Sequence, residues 1–442
     1  MNSPMVHDSH VASWPVHSVI SDDLRTHCSQ SDRHWRHGLE KDHLGRLVGQ
    51  EANVMQALAN APELKGVVRF DMFSGRLILT RALPGQSEVA AREWTDCDTT
   101  LLQAWLQQQG MRMVARERVR AALETFARTH SEFHPVREYL ESLSWDGIPR
   151  IDGWLKTYAG AEVGQPPAFV SAVGRNFLIA AVARVFRPGC QVDEILVLEG
   201  AQGTGKTTLL RDLVGPEWFS DNLPSDLSRT DASLHLVGKW VVEMSELAHM
   251  GKNRSEDFKA FVTRRVDRFR PPYGRQEVDR HRQCVFAATT NDQQYLLDPT
   301  GNRRFCCVRT GSIDLDALRT DRDQLWAEAV HEFRRGTPWH LSAELASAAA
   351  GEAAVRTPDD PLVAQVLSAT RNLPPAQELI TPGALIGLMG APIIGSDKAF
   401  AKRVATAMRQ CGYVFERRTA SGNEFRIPKS QAHATAARVC DV

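Results

Sequence analysis

The run Gly200-Ala201-Gln202-Gly203-Thr204-Gly205-Lys206-Thr207 constrains this chain more than any other feature. It fits the pattern G-x-x-x-x-G-K-[ST] of a P-loop. The context fits too. The apolar run Ile195-Leu196-Val197-Leu198-Glu199 before it reads as a buried strand. Thr208 to Leu213 behind it is compatible with a helix. Glycines let the backbone curl around phosphate without Cβ clashes, so that N–H groups and the helix N-terminus face the anion. Gly200, Gly203, Thr204, Gly205, Lys206, Thr207 and Thr208 are therefore the candidate nucleotide-binding residues. In this pattern Lys206 reaches the β and γ phosphates of ATP, and Thr207 ligates Mg²⁺.

A phosphate loop alone says nucleotide and not task. The next acids on an apolar strand are in Val241-Val242-Glu243-Met244-Ser245-Glu246. Glu243 is expected at the strand end, holding Mg²⁺, and Glu246 polarising the attacking water. Sequence does not fix side-chain direction, so the two roles could be exchanged. An Asp is the more usual metal acid at such a site. Val285 to Thr290 is a third strand, ending in Asn291, a residue suited to orienting water beside a γ-phosphate. In Asp298-Pro299-Thr300-Gly301-Asn302-Arg303-Arg304-Phe305, Arg303 or Arg304 could project into a neighbouring subunit's site. An arginine supplied in this way contributes roughly 10³–10⁵ in rate in GTPases.

These elements, with Trp145-Asp146-Gly147-Ile148-Pro149-Arg150 and Arg268-Phe269-Arg270-Pro271-Pro272-Tyr273-Gly274-Arg275, follow one order. That order resembles the virulence-associated protein E family, phage- and prophage-associated P-loop ATPases similar to superfamily 3 helicases. The resemblance spans about residues 140–340. It implies an AAA+-like α/β core, assembly into a homo-oligomeric ring, commonly hexameric, and a role in replicating mobile-element DNA. Many relatives carry an N-terminal primase domain. The N-terminal part here is short and shows no acidic triad, so a primase or other replication proteins would be separate partners.

Organisation along the chain fits that frame. A length of 442 residues allows two to four domains. Hydrophobic residues are 43% and charged residues 24% of the chain, which excludes a wholly disordered polypeptide. We expect a tail over 1–35, a small mixed α/β domain over 36–140 and the P-loop domain over 141–340. A linker or helix over 341–356, a winged-helix-like domain over 357–430 and a tail over 431–442 complete the expectation. The last domain is read from helices at 361–369, 382–390 and 397–411 followed by a hairpin at 413–427. No stretch of about 18 apolar residues is apparent, and no secretory signal. The eight cysteines form no CxxC pair. A reducing cytoplasm suits them best.

Net charge is zero, with 53 basic and 53 acidic residues, so a DNA partner must be met by local patches. Residues 259–282 hold eight basic and three acidic residues, an excess of five. Arg264, Arg265, Arg268, Arg270 and Arg275 alternate with Phe269 and Tyr273, which could stack on single-stranded bases. In the C-terminal unit, Lys402, Arg403, Arg417 and Arg418 are the candidate DNA contacts on a recognition helix and wing. The expectation is a DNA-dependent ATPase acting as a ring helicase on single-stranded or forked DNA. The alternative is an ATP-switched DNA-binding protein that initiates or interferes with replication without unwinding.

Overall fold

The computed structural model describes residues 35–428 except 88, 162–163, 228, 246–251, 272–275, 297–301, 359–360, 372, 374–377, 390–397 and 421. Two compact units divide the chain. One holds residues up to Ser144 with Leu236–Lys239, and the other holds Trp145–His235 with Trp240 onward.

The first unit contains α1 (Glu51–Asn60), β1 (Val68–Asp71), β2 (Arg76–Leu79), β3 (Arg92–Glu93), α2 (Asp96–Gln108), α3 (Arg116–His130), β4 (Glu132–Phe133) and α4 (Pro135–Ser142). β1 and β2 form an antiparallel hairpin, with Val68 opposite Leu79. The sheet order is β3-β2-β1-β4, and β4 runs parallel to β1. Asp71 turns the hairpin by accepting from the Phe73 and Ser74 N–H groups at 2.7 and 3.2 Å, an Asx-type local bond. Helix α2 starts on a capping box: Thr95 and Asp98 satisfy one another's backbone N–H groups. Leu58, Leu79, Leu102, Leu106 and Leu123 meet in the core.

The second unit opens with α5 (Trp154–Ala159) and α6 (Pro167–Phe186), then alternates β5 (Ile195–Glu199), α7 (Lys206–Val214), β6 (Phe219–Ser220), α8 (Thr230–His235), β7 (Val241–Ser245) and α9 (Lys252–Val262). A hairpin of β8 (Val266–Phe269) and β9 (Val278–His281) precedes β10 (Val285–Thr290) and β11 (Phe305–Arg309). Helices α10 (Leu315–Arg335) and α11 (Ala343–Val355) close this part. The five-stranded sheet has the order β11-β5-β10-β7-β6, and every pairing is parallel. Strands β5 and β10 are buried throughout, as all-parallel sheets covered on both faces require.

Helix α6 corrects one expectation. It is long and apolar enough to cross a membrane, yet 83% of its most apolar window is buried inside the unit. It packs against α5, α10, β5 and β10, so its all-round hydrophobicity is that of a core helix. Trp240 and Trp326 pack with 4.2 Å between ring centroids. Their indoles donate to the Ala181 and Leu213 carbonyls, at 2.9 and 2.8 Å. The 145–150 loop is fastened to α10: Glu328 accepts from the Arg150 and Ile151 N–H groups at 2.6 and 3.0 Å.

The C-terminal elements are α12 (Pro361–Thr370), β12 (Leu379–Ile380), α13 (Pro382–Leu388), α14 (Lys398–Gln410), β13 (Val414–Thr419) and β14 (Gly422–Arg426). The three helices and the hairpin fall where the sequence pattern placed them. The two-residue β12, too short to carry a pattern, pairs antiparallel with β14. Val366, Leu385, Val404, Met408 and Phe425 make an apolar cluster of their own here.

Candidate functional site

The site lies at the C-terminal edge of the parallel sheet, where β5 leads into the glycine-rich loop and α7. Gly203 and Gly205 have φ of +79° and +95°, a backbone region that side chains with a Cβ avoid. Gly200 extends the sheet by donating to the Thr290 carbonyl at 3.2 Å. Thr204 Oγ1 closes the loop on the Ala201 carbonyl at 3.0 Å. Lys206 opens α7, and Thr207 and Thr208 follow in its first turn, partly buried. The N–H groups of that turn have no carbonyl one turn back to bond.

The strand order decides what meets the loop. Because β10 is inserted between β5 and β7, its end stands between the loop and the acidic strand. Lys206 Nζ donates to the Gly200 and Ala201 carbonyls, both at 2.8 Å, and to Asn291 Oδ1 at 3.0 Å. Thr207 Oγ1 donates to Glu243 Oε1 at 2.8 Å. Thr289 Oγ1 donates to the same oxygen. Glu243 Oε2 is buried with no hydrogen-bond partner among the described residues. Such a pair of hydroxyl and carboxylate oxygens suits a hard divalent cation whose other ligands are phosphate and water. Among the described residues, no group of three or more His, Cys, Asp and Glu could hold a metal without such help.

Glu243 differs in one respect from the sequence reading. It sits inside β7, level with Ala287, and is fully buried rather than standing at the strand end. Burial raises its carboxyl above the usual value, against the Thr289 and Thr207 hydroxyls, and nearby Asp221 adds to the rise. Asp221 follows β6 and was not singled out from sequence, because it lies in no apolar run. Burial also lowers the Lys206 ammonium, and Glu243 opposes that shift. Glu246 lies outside the described residues.

The raised carboxyl has a measurable consequence. Folded Glu243 keeps its proton to a higher pH than the unfolded chain does. Its contribution to stability is present below the ordinary carboxylate range and is lost as pH rises through the folded value. Glu243→Gln is therefore expected to stabilise the protein by about 1–3 kcal/mol at pH 8. The gain should shrink towards zero near pH 4.5, the ordinary value for this group. Denaturant unfolding at both pH values measures it; a variant no more stable than wild type at pH 8 would contradict the burial argument.

Arg303 and Arg304 fall elsewhere. Asn302–Arg304 form a 3-10 turn that leads into β11. In the β11–β5 register Phe305 faces Ile195 and Arg309 faces Glu199. The turn is thus at the N-terminal edge of the sheet, opposite the loop that follows Glu199. At about 3.3 Å per residue the two edges are roughly 13 Å apart along the strand.

The basic segment is less uniformly available than its composition suggests. Arg282 is buried and forks onto Asp267, with contacts of 2.9 and 2.6 Å. Lys259 and Phe269 are also buried, so neither presents itself to solvent and Phe269 cannot stack on a base. Arg268 is exposed but paired with Asp279 at 2.6 Å. Arg264 and Arg265 are exposed, Arg265 donating to the Gly189 carbonyl at 2.7 Å. Arg270 is exposed, and Tyr273 and Arg275 lie outside the described residues. In the C-terminal part Lys402 and Arg403 are exposed on α14, and Arg418 on β13. Arg417 is paired with Glu424 at 2.7 Å.

A buried hub that sequence reasoning missed stands directly before the loop. Glu199, the last residue of β5, accepts both a Nε and a second guanidinium contact from Arg356, the latter at 2.7 Å, and the Tyr295 hydroxyl at 2.6 Å. Arg356 also reaches Glu352 at 2.7 Å. A polar residue ending an apolar strand was the available signal. Its partner lies 157 positions away, beyond the reach of local pattern.

The fold and this edge define a parallel α/β domain with one polar site built on a glycine-rich strand-to-helix loop. Residues 140–357 match the virulence-associated protein E-like domain, and the chain carries a domain of that family. No curated protein sequence matches the chain. Among solved structures, the apo structure of NrS-1 C terminal region (305-718) aligns at 11% identity and a TM-score of 0.46, covering 81% of this chain and 95% of that one. An A form apo structure of the same region aligns at 13% identity and a TM-score of 0.42, with the same coverage.

Proposed function

We propose that this protein is a DNA-dependent ATPase that works as a ring helicase in the replication of phage or other mobile-element DNA. The carrying observation is the separation of polar groups on the sheet. Lys206, Thr207, Glu243 and Asn291 converge at one edge, whereas Arg303 and Arg304 stand at the other. An arginine so placed serves a nucleotide only in a neighbouring subunit, which makes a closed homo-oligomer, such as a hexamer, the functional unit.

In this reading the glycine-rich loop is a P-loop in an AAA+-like core. Lys206 and the loop N–H groups hold the ATP phosphates. Thr207 and the unpaired oxygen of Glu243 take Mg²⁺, which supplies charge neutralisation of the phosphates when bound. Asn291, hydrogen-bonded to Lys206, orients the attacking water, with Glu246 or Asp221 as the acid beside it. Arg303 or Arg304 stabilises transition-state charge from across the interface. The β8–β9 hairpin and the residues beside β8 carry Arg264, Arg265, Arg268 and Arg270 towards single-stranded DNA. The order α12, β12, α13, α14, β13, β14 is that of a winged helix, with Lys402 and Arg403 on its recognition helix and Arg418 on its wing. We place the protein in the cytoplasm, beside a separate primase or other replication proteins.

The test is ATP hydrolysis over a protein dilution series, with and without single-stranded DNA, at two salt concentrations. Stimulation by DNA, weakening with salt, and loss of rate on dilution are expected. Lys206→Ala mixed with Arg303→Ala/Arg304→Ala should recover activity that neither variant has alone. ATP binding with DNA-independent hydrolysis, or with none, would instead favour an ATP-switched DNA-binding protein.

A further inference from the structure

We propose that Lys259 is a positioning residue that sets the aim of the arginine turn, an inference that rests on Arg303 or Arg304 acting across a subunit interface. Lys259 lies in the last turn of α9 and is 5% exposed. Its ammonium donates to Asn302 Oδ1 at 3.0 Å, and this contact is buried. The same ammonium stands 5.7 Å from the centre of the Phe305 ring. Asn302 and Phe305 are the residues immediately before and after the two arginines. One side chain therefore grips both ends of a four-residue segment.

The other side of the segment is held as well. Asn302 Nδ2 donates to Thr357 Oγ1 at 3.2 Å, and that hydroxyl donates to the Ala353 carbonyl at 3.0 Å. Helix α11 packs against the turn. Phe305 stacks against Phe258, one residue before Lys259, with ring centres 6.4 Å apart. The amide of Asn302 is thus fixed at its oxygen by α9 and at its nitrogen by the segment after α11.

Burying an ammonium is costly, and an apolar side chain of similar length would fill the space more cheaply. What the lysine adds is direction: a hydrogen bond to one anchor and a cation–π contact to the other. A finger works only when its guanidinium meets the transferring phosphoryl group, and a misplacement of about 1 Å can cost 10²-fold in rate. Lys259 belongs to the run whose basic residues suggested DNA contact; its burial assigns it to the interface machinery instead.

The experiment uses the full chain carrying Lys259→Met, with Asn302→Leu as a second variant should the first fail to fold. Both are expected to bind a fluorescent ATP analogue within about threefold of wild type and to hydrolyse ATP about 10²-fold more slowly. Mixing decides the role. Lys259→Met should recover activity when mixed with Lys206→Ala, which contributes an intact arginine turn. It should recover none with Arg303→Ala/Arg304→Ala. Recovery with the arginine variant, or a rate equal to wild type, would overturn the proposal while leaving the trans-arginine reading intact. Failure of Lys206→Ala and Arg303→Ala/Arg304→Ala to complement one another would overturn that reading, and this proposal with it.

Discussion

On the proposed ATPase reading, Lys206→Ala is expected to lower ATP hydrolysis by about 10²–10³-fold or more, the scale on which one preorganised charge-stabilising donor contributes. Two losses combine. The first is the ammonium that, in that reading, meets phosphate charge in a partly desolvated site, where electrostatic interactions are stronger than in water. The second is local order. The Lys206 ammonium ties the Gly200 and Ala201 carbonyls to Asn291. Without it, the loop and the end of β10 lose their shared fastening. Phosphate-release kinetics paired with nucleotide-binding titrations separate these effects. Weaker binding with an unchanged rate at saturation would show that Lys206 only captures nucleotide. A rate within threefold of wild type at all concentrations would remove the loop from the chemistry altogether.

Arg356→Met is expected to destabilise the second unit by about 3–5 kcal/mol, the cost of stranding one member of a buried ion pair. The Arg356 side chain is 2% exposed and that of Glu199 10%. The substitution leaves Glu199 with the Tyr295 hydroxyl and a more distant Arg309 at 3.8 Å. The double variant Glu199→Gln/Arg356→Met should recover most of the loss, because neither charge then remains to be desolvated. Chemical denaturation of the single and double variants provides the cycle. A single variant within 1 kcal/mol of wild type would mean that water or Arg309 compensates Glu199 in full.

Local pattern carried much of the fold. Ile195–Glu199 is a strand at the bounds its apolar run suggested, because a buried parallel strand needs a continuous apolar stretch. The acidic strand is Val241–Ser245, so Glu243 stands in its buried middle and not at its end. Strands β3, β4, β6 and β12 have two residues each, too few for a period to show. The site was legible where one segment held it, as in the loop and Asn291. It was not legible where distant segments meet: Glu199 with Arg356, or Lys259 with Asn302. Charge counting also misled locally, since Arg282 and Asp267 cancel each other inside the fold.

The strand order also governs how the chain is made. Strand β5 lies between β10 and β11, and both are translated long after it. A ribosome adding about 5–20 residues per second therefore leaves β5 without these sheet neighbours for several seconds. Throughout that interval the apolar α6 has neither β10 nor α10 to cover it. Such non-local pairing folds slowly and exposes sticky surface on the way. A nascent chain that stops before β10 therefore carries β5 and α6 without either of the strands that later flank β5.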